Sequence, residues 1–511
     1  MTRKVFIMEK KKKKLSFPSA YTVLFIVLIL AAVLTYVIPA GQYSSLTYDD
    51  SAEVFVITDP SGHTAEMPAT QETLDKLNVK ADLGKFTDGS IYKPMAISGT
   101  YVSLKQNGQG IKEVIMAPID GVYETVDIML FIFMIGGMVG IMNYLGVFNA
   151  GISALARVSK GKEEIIIALV TFLIALGGST FGMAEETIAF YPILIPIFIK
   201  SGYDAMVGIA AIWCGSSIGC MFSTVNPFSV VIASNAAGTN FSEGLPVRAV
   251  GLVLGVLITV IYIVRYGKKV QKDPKLSVVY EDTDKINAKL GMDQQKEELD
   301  KMPTKFKIIL GIFFLTFVIM IYGVVSLGWW FGEMAALFLI SAVIIGLIGR
   351  MKEKEIASVF IGGASDLVGV ALVCGLARAV NILLENGLVS DTLLHTMSGW
   401  VEGMNPLLFI VVMMIAFIIL GFFINSSSGL AMLSIPIMAP LADAVGLPRD
   451  VVISAYIYGL GLIGLITPTG LILAVLDMVD VTFNKWLKWC WPLMVIWTIF
   501  GLIMLMIQIY V

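Results

Sequence analysis

The sequence predicts an all-α polytopic membrane protein built as an inverted repeat, with two re-entrant hairpins and two broken helices. Three observations carry that prediction. The 511 residues are 57% hydrophobic and only 15% charged, whereas an ordinary soluble domain carries about 25% charge. Apolar runs of the roughly 20 residues needed to cross a bilayer recur from Tyr21 to the last residue. The two halves of the chain repeat one order of elements, and the flanking charges place the repeats in opposite orientations. Short alternating segments, the mark of a β-barrel, are not the pattern here, and the excess of apolar residues excludes a soluble enzyme.

The elements follow in order. Lys10 to Lys14 precede the first apolar run, Tyr21 to Ile38, and positive residues stay cytoplasmic, so residues 1–40 form a cytoplasmic tail and a first helix running outward. The run ends in Pro39-Ala40-Gly41, a poor cleavage site, so a retained helix is expected rather than a signal peptide. Residues 41–112 are polar, with many acids and several prolines and glycines but no cysteine, and read as an extracytoplasmic insertion. A span over about 124–145 returns inward to Arg157, Lys160 and Lys162, and another over 247–266 ends at Arg265, Lys268 and Lys269. Residues 113–266 thus form a first repeat, with a hairpin at about 163–200, and 267–306 a charged cytoplasmic linker. Residues 307–511 hold the second repeat at about 361–485, with a hairpin at about 405–446. The basic groups at Arg350, Lys352 and Lys354, and at Lys485 and Lys488, fit the same orientation.

The repeat is visible residue by residue. Tyr191-Pro-Ile-Leu-Ile-Pro-Ile-Phe-Ile-Lys-Ser-Gly202 matches Ile435-Pro-Ile-Met-Ala-Pro-Leu-Ala-Asp-Ala-Val-Gly446 at a constant offset of 244, with Pro192 on Pro436, Pro196 on Pro440 and Gly202 on Gly446. Each match is preceded by a polar cluster, Gly177-Gly-Ser-Thr-Phe-Gly-Met-Ala-Glu-Glu-Thr187 or Asn425-Ser-Ser-Ser-Gly429, and followed by a break, Ser223-Thr-Val-Asn-Pro227 or Thr467-Pro-Thr-Gly470. A single such break would read as packing or a kink. Two corresponding pairs in inverted halves are the pattern of a secondary transporter, whose unwound backbone and half-helix ends hold substrate near the midplane. The candidate substrate residues are therefore Ser179 and Thr180 at the first tip, Asn425, Ser426 and Ser427 at the second, Ser223, Thr224 and Asn226 in one break, and Thr467 and Thr469 in the other.

The segments Phe17-Pro-Ser-Ala-Tyr-Thr-Val-Leu-Phe25, Tyr36-Val-Ile-Pro-Ala-Gly-Gln-Tyr43 and the Gly-Gly-Ser-Thr-Phe-Gly-Met-Ala-Glu-Glu-Thr cluster resemble the YfcC-type basic amino acid antiporter family of the ion transporter superfamily, over nearly the whole chain. The resemblance implies hairpins entering from opposite faces, a mobile transport domain, a scaffold that dimerises, and elevator-type alternating access. The superfamily's sodium-coupled dicarboxylate carriers have Ser-Asn-Thr at both tips, where this chain has Ser179-Thr180-Phe181 and Asn425-Ser426-Ser427.

Charges inside a bilayer cost at least about 2.5 to 3.5 kcal/mol each, so they need a partner or a purpose. Glu185 and Glu186 follow the first tip at the start of a half-helix, where free N–H groups and the dipole stabilise a carboxylate. Neighbouring helical residues point about 100° apart, so one of the two is expected to face the site. Such acids suit a cationic substrate, since a carboxylate grips a guanidinium in bidentate fashion. Arg378 lies mid-span and has two readings of equal weight: an anchor for the substrate's α-carboxylate, or an internal ion pair with Glu185, Glu186 or Asp366. Glu124 and Asp127 read as a span boundary, and Trp329, Trp330, Trp486, Trp489 and Trp491 as interfacial belts.

The expected function is exchange of basic amino acids, arginine or ornithine, across the cell membrane. The alternative is a sodium- or proton-coupled carboxylate carrier with Arg378 as the anion's anchor. No cofactor or metal is expected. His63 and His395, the only histidines, fall outside the predicted membrane segments, and Cys214, Cys220, Cys374 and Cys490 form no Cys-x-x-Cys pair and read as core packing. A formal net charge of −3 argues against nucleic acid as a partner. The partners are a small amino acid, the lipid bilayer and, on the resemblance alone, a second copy of the chain.

Overall fold

The computed structural model describes residues 20–87, 89, 91, 93–147, 150, 163–290, 292, 303–327, 329–400, 404–424 and 426–510. Asn425 and the basic residues Arg157, Lys160 and Lys162 lie outside them. Eight of the described helices are long and apolar enough to cross a membrane, which makes this a multi-pass membrane protein. Ala20–Val37 forms the first helix, one residue displaced from the apolar run that predicts it.

Both halves use the same parts. Each repeat opens with a helix broken by one residue, Ile111–Glu124 and Val126–Tyr144 around Thr125, then, after the spanning helices Thr304–Leu327 and Phe331–Ile348, Glu353–Asp366 and Val368–Asn386 around Leu367. These two broken helices cross at backbone contact. A Cβ on Gly136 would stand 2.6 Å from the carbonyl oxygen of Gly363, and one on Gly121 2.2 Å from that of Gly375. Small residues are what permits such a crossing where lipid gives helices no hydrophobic reason to associate. Next come the hairpins: Glu163–Phe181 returning through Tyr191–Lys200, and Pro406–Phe423 returning through Ser427–Ala444. Helices Ala205–Met221 and Arg449–Gly464 follow, each stopped by a break and resumed as a short helix, Ile232–Ala237 or Ile472–Met478. Two 28-residue helices, Leu245–Lys272 and Phe483–Tyr510, close the repeats and are joined by a hydrogen bond from Trp497 Nε1 to Thr259 Oγ1 at 3.2 Å.

The chain is not helical throughout. In the 41–112 insertion, strands Thr64–Pro68, Val54–Thr58, Ser45–Asp49 and Met95–Ala96 lie side by side in that order, all antiparallel, with Leu46 opposite Ile57 and Phe55 opposite Met67. Leu46, Phe55, Leu74 and Met95 are buried beneath the sheet, and the rings of Phe55 and Phe86 meet edge to face at 5.0 Å. Strands of at most five residues hid this sheet from sequence reading, since a half-buried strand this short shows only two or three inward positions.

The insertion is fastened to the helix Ser390–Trp400. Gly41 donates to the carbonyl of Leu388 at 3.0 Å and Tyr43 N to Asp391 Oδ2 at 2.9 Å, while Tyr101 stacks on His395 with centroids 4.0 Å apart. Burial pushes the Asp391 carboxyl from an ordinary 3.8 up to about 6, against the opposing hydrogen bond from Tyr43. A carboxyl that keeps its proton more readily when folded makes the fold less stable as pH rises through that window. The expected result is a higher apparent melting temperature at pH 5 than at pH 7.5, by at most about 3 kcal/mol of stability, with the difference abolished in Asp391→Asn. Equal pH dependence in the variant would assign the effect elsewhere.

The aromatic belt expected at the chain's end is only partly there. Trp491 is 61% exposed, but Trp486 is fully buried and donates to the carbonyl of Leu465 at 2.8 Å, and Trp489 is buried beside it with rings 5.4 Å apart. The free carbonyl left where the helix Arg449–Gly464 stops takes the indole inward, because an unpaired backbone group costs several kcal/mol in hydrocarbon.

Candidate functional site

Hairpin tips and helix breaks converge on one cavity of about 1310 Å³. Its first wall comes from the first repeat. The tip turns at Gly182, whose φ of +74° suits glycine, and a Cβ there would lie 2.9 Å from Asn226 Nδ2. Beyond it Glu185–Phe190 forms a 3-10 helix rather than an α-helical start. Glu185 and Glu186 both line the cavity, where one of the two was expected to. Glu186 is the more buried of the two and its Oε2 accepts the Ala184 N–H at 3.0 Å.

The breaks are stitched to the hairpins in the same way twice. Asn226 Nδ2 donates to the carbonyl of Gly178 at 3.4 Å, and Thr469 Oγ1 to that of Phe422 at 3.4 Å. Gly178 and Phe422 are 244 residues apart, the offset of the proline match. Ser179 reinforces the first stitch, its Oγ donating to the carbonyl of Phe222 at 3.1 Å and meeting Thr224 Oγ1 at 3.0 Å.

Of the candidate residues, the structure brings Glu185, Glu186, Asn226, Arg378, Ser426, Ser427 and Thr469 to the cavity. Ser179, Thr180, Ser223, Thr224 and Thr467 stand behind its lining. Their hydroxyls bond within the wall: Thr180 to the carbonyl of Leu176 at 2.7 Å, Ser223 to that of Cys220 at 2.7 Å, and Thr467 to Thr469 at 2.8 Å. Asn425 is outside the described residues.

Arg378 lines the cavity and is ion-paired, but with partners other than Glu185, Glu186 or Asp366. Its Nε meets Glu124 Oε2 at 2.6 Å, and its two terminal nitrogens meet the carboxylate of Glu385 at 3.0 and 3.1 Å. Glu385 sits two turns further along the same helix, at i+7, and so shares its face. Glu124 and Asp127 stand at a span boundary as expected, on either side of Thr125 where the span Val126–Tyr144 begins, and Asp127 accepts from Trp330 Nε1 at 3.1 Å. Trp329 and Trp330 accordingly line the cavity rather than an interfacial belt, as do Cys220 and Cys374 rather than core alone. The insertion contributes Gln42 and Lys93, and Asp391 completes the charged set.

Sequence reasoning missed two features of the wall. The helix Ala205–Met221 presents Trp213, Ser216, Ser217 and Cys220 to the cavity, a spacing of i, i+3, i+4 and i+7 that was there to read, but no apolar–polar contrast marks it in so apolar a helix. Arg248, fully buried near the start of Leu245–Lys272, was hidden among the span's flanking residues. Its guanidinium donates to the carbonyls of Ser223, Glu243 and Phe241 at 3.0, 3.0 and 2.5 Å. It thereby holds the first break in place. Among the described residues no group of three or more His, Cys, Asp or Glu side chains is arranged to hold a metal ion.

Known proteins resemble this chain along its length. An uncharacterized protein of Haemophilus influenzae is 47% identical over 98% of each chain. The provisionally named basic amino acid antiporter YfcC of Escherichia coli is 30% identical over 94% of each. Among solved structures, the YdaH transporter of Alcanivorax borkumensis aligns over 96% of this chain and 97% of its own at 13% identity, with a TM-score of 0.39. MtrF of Neisseria gonorrhoeae aligns over 97% and 96% at 15% identity, with a TM-score of 0.41. Residues 17–510 match the DcuC family, described as C4-dicarboxylate anaerobic carrier, and with that match and the YfcC relationship the chain belongs to the DcuC family of membrane transporters.

Proposed function

We propose that this protein exchanges basic amino acids of the arginine and ornithine type across the cytoplasmic membrane by alternating access. The observation that carries this reading is the charge of the cavity. Five carboxylates, Glu124, Glu185, Glu186, Glu385 and Asp391, line it against two cations, Lys93 and Arg378, and Arg378 is already engaged by two of the five. A wall with that balance concentrates cations and repels anions. In this reading Glu185 and Glu186 receive the substrate's side-chain cation. The serines at the second tip, with the N-terminus of the helix Ser427–Ala444 behind them, and Arg378 receive the α-carboxylate. Exchange of one cation for another needs no ion gradient, in keeping with tips that lack Ser-Asn-Thr. The hairpins and broken helices form the moving body of an elevator, the N-terminus is cytoplasmic, the insertion faces outward, and the protein is a homodimer.

A specific observation favours a second reading, carboxylate transport: Lys93 and Arg378 share the wall, and the family's description names C4-dicarboxylates. The deciding experiment is uptake of labelled arginine into proteoliposomes loaded with ornithine, alongside empty and succinate-loaded vesicles, with and without a sodium gradient. Uptake that needs internal ornithine and ignores sodium is the expected result. Sodium-driven succinate uptake with none of arginine would replace the proposal with the second reading.

A further inference from the structure

On one pair of equivalent helices the two repeats line the cavity with opposite chemistry. The first repeat lines it with Trp213, Ser216, Ser217 and Cys220 of the helix Ala205–Met221. The second lines it with Ile457, Leu460, Gly461 and Gly464 of the helix Arg449–Gly464. Every one of these four pairs is separated by 244 residues, the offset of the proline match, so the same helical face looks into the cavity from both sides. One face carries two hydroxyls, a thiol and an indole, whereas the other carries two aliphatic side chains and two glycines. At the hairpins the two acids Glu185 and Glu186 belong to the first repeat alone, their counterparts at the same offset being Gly429 and Leu430, while the second tip is polar through Ser426, Ser427 and Ser428.

From this mismatch we infer that the cavity is one-sided, with the second-repeat face formed by Ile457, Leu460, Gly461 and Gly464 acting as the apolar track for the substrate's methylene chain and Gly464 setting how long that chain can be. The inference rests on the basic amino acid reading and says where the uncharged middle of such a molecule lies. The physical reason is desolvation. A cationic amino acid needs polar partners at its ends but has an aliphatic stem that gains only from apolar contact, about 0.8 kcal/mol per buried CH₂. A cavity polar all round would leave that gain unused, and hydroxyls facing the stem would be left unpaired.

The two glycines differ in what they allow. A Cβ on Gly461 would press on Met221, 2.6 Å from its Cβ, so this glycine serves the contact between the helices Ala205–Met221 and Arg449–Gly464. A Cβ on Gly464 would meet nothing within 4 Å, so the space in front of it is open for substrate, and a side chain placed there enters that space first. Its repeat partner Cys220 already carries a side chain at the corresponding place.

The test uses the full chain in proteoliposomes and a series of basic amino acids with stems of one to four methylenes, 2,3-diaminopropionate, 2,4-diaminobutyrate, ornithine and lysine, together with homoarginine, which carries a guanidinium on the four-methylene stem. Gly464→Leu is expected to lower exchange of lysine and homoarginine at least about tenfold relative to the two shortest members, with Gly464→Ala intermediate. Leu460→Ala, which opens the track, is expected to shift the preference the other way and serves as the second variant should Gly464→Leu fold poorly. Monodispersity and melting temperature equal to wild type establish that a variant is folded. Equal loss for all five substrates in folded Gly464→Leu, with no shift in Leu460→Ala, would overturn the track while leaving the exchange activity standing. Wild-type vesicles that exchange none of the series would overturn the basic amino acid reading, and the track with it.

Discussion

Glu185→Gln/Glu186→Gln is expected to lower arginine exchange into ornithine-loaded proteoliposomes at least about a hundredfold while leaving the protein folded. A hydrogen bond to a charged group is worth about 1.5–3 kcal/mol, and each 1.4 kcal/mol is tenfold, so removal of both charges from the cavity wall removes the strongest contacts available to a cation. The fold does not depend on those charges. Glutamine keeps a carbonyl oxygen where Glu186 Oε2 accepts from Ala184, and loss of two buried charges relieves desolvation. The single variants should differ, with Glu185→Gln the more damaging, because Glu185 is the less buried of the two and the Glu186 carboxylate is partly spent on the backbone. Normal exchange by the double variant would remove these residues from the substrate site and with them the main support for a cationic substrate.

The largest effect on stability is expected at Arg248. Its three carbonyl partners belong to Ser223 in the first break and to Phe241 and Glu243 just before its own helix. Gly244, with a φ of +68°, lets the chain turn there, and a Cβ on it would collide with Gln508, Asp450 and Arg248 at 2.4, 2.7 and 2.9 Å. Asp450 is buried in the same spot and accepts from Gln508 Nε2 at 2.5 Å. Arg248→Met would strand three carbonyls in an apolar setting, at about 1–3 kcal/mol for each buried group left unpaired, and would remove a cation that attracts the buried Asp450, a loss on the order of 3–5 kcal/mol. The expected readouts are a sharply reduced monodisperse yield in detergent and a lower melting temperature, with part of both restored in Arg248→Met/Asp450→Asn. A single variant that melts with the wild type would show that the first break holds itself.

These two sites were not equally legible. Glu185 and Glu186 stand out in a sequence because an acid in an apolar stretch needs a reason, and the polar cluster around them marks a hairpin tip. Arg248 does not stand out, since an arginine close to the start of a span reads as flanking charge. Only the return of the chain over residues 223–245 shows that it points inward. The fate of Arg378 was likewise undecidable. An ion pair was foreseeable, but Glu124 reaches it from a helix more than 250 positions away, and no local pattern encodes that distance. Ser179 and Thr224 looked like substrate ligands because they stand at a hairpin tip and a helix break that recur in both halves. In the structure they bond to each other and to the freed backbone, as buried polar groups in hydrocarbon must.

The sequence by itself determined the membrane spans, the internal repeat, the two hairpins and the two broken helices, because each follows from something local: the length of an apolar run, a proline or glycine that stops a helix, a charge that stays on one side, and an offset of 244 that recurs. Tertiary structure alone decided which polar groups face the cavity, which partner each charge takes, how the 41–112 insertion forms a sheet and docks on the helix Ser390–Trp400, and that Ile457, Leu460, Gly461 and Gly464 stand in the cavity wall where the first repeat has Trp213, Ser216, Ser217 and Cys220. The reason is that burial and pairing depend on which faces of distant helices meet. The 3.6-residue period gives a helix its faces, but in a helix that is apolar all round, such as Ala205–Met221, it does not say which face is turned to the substrate.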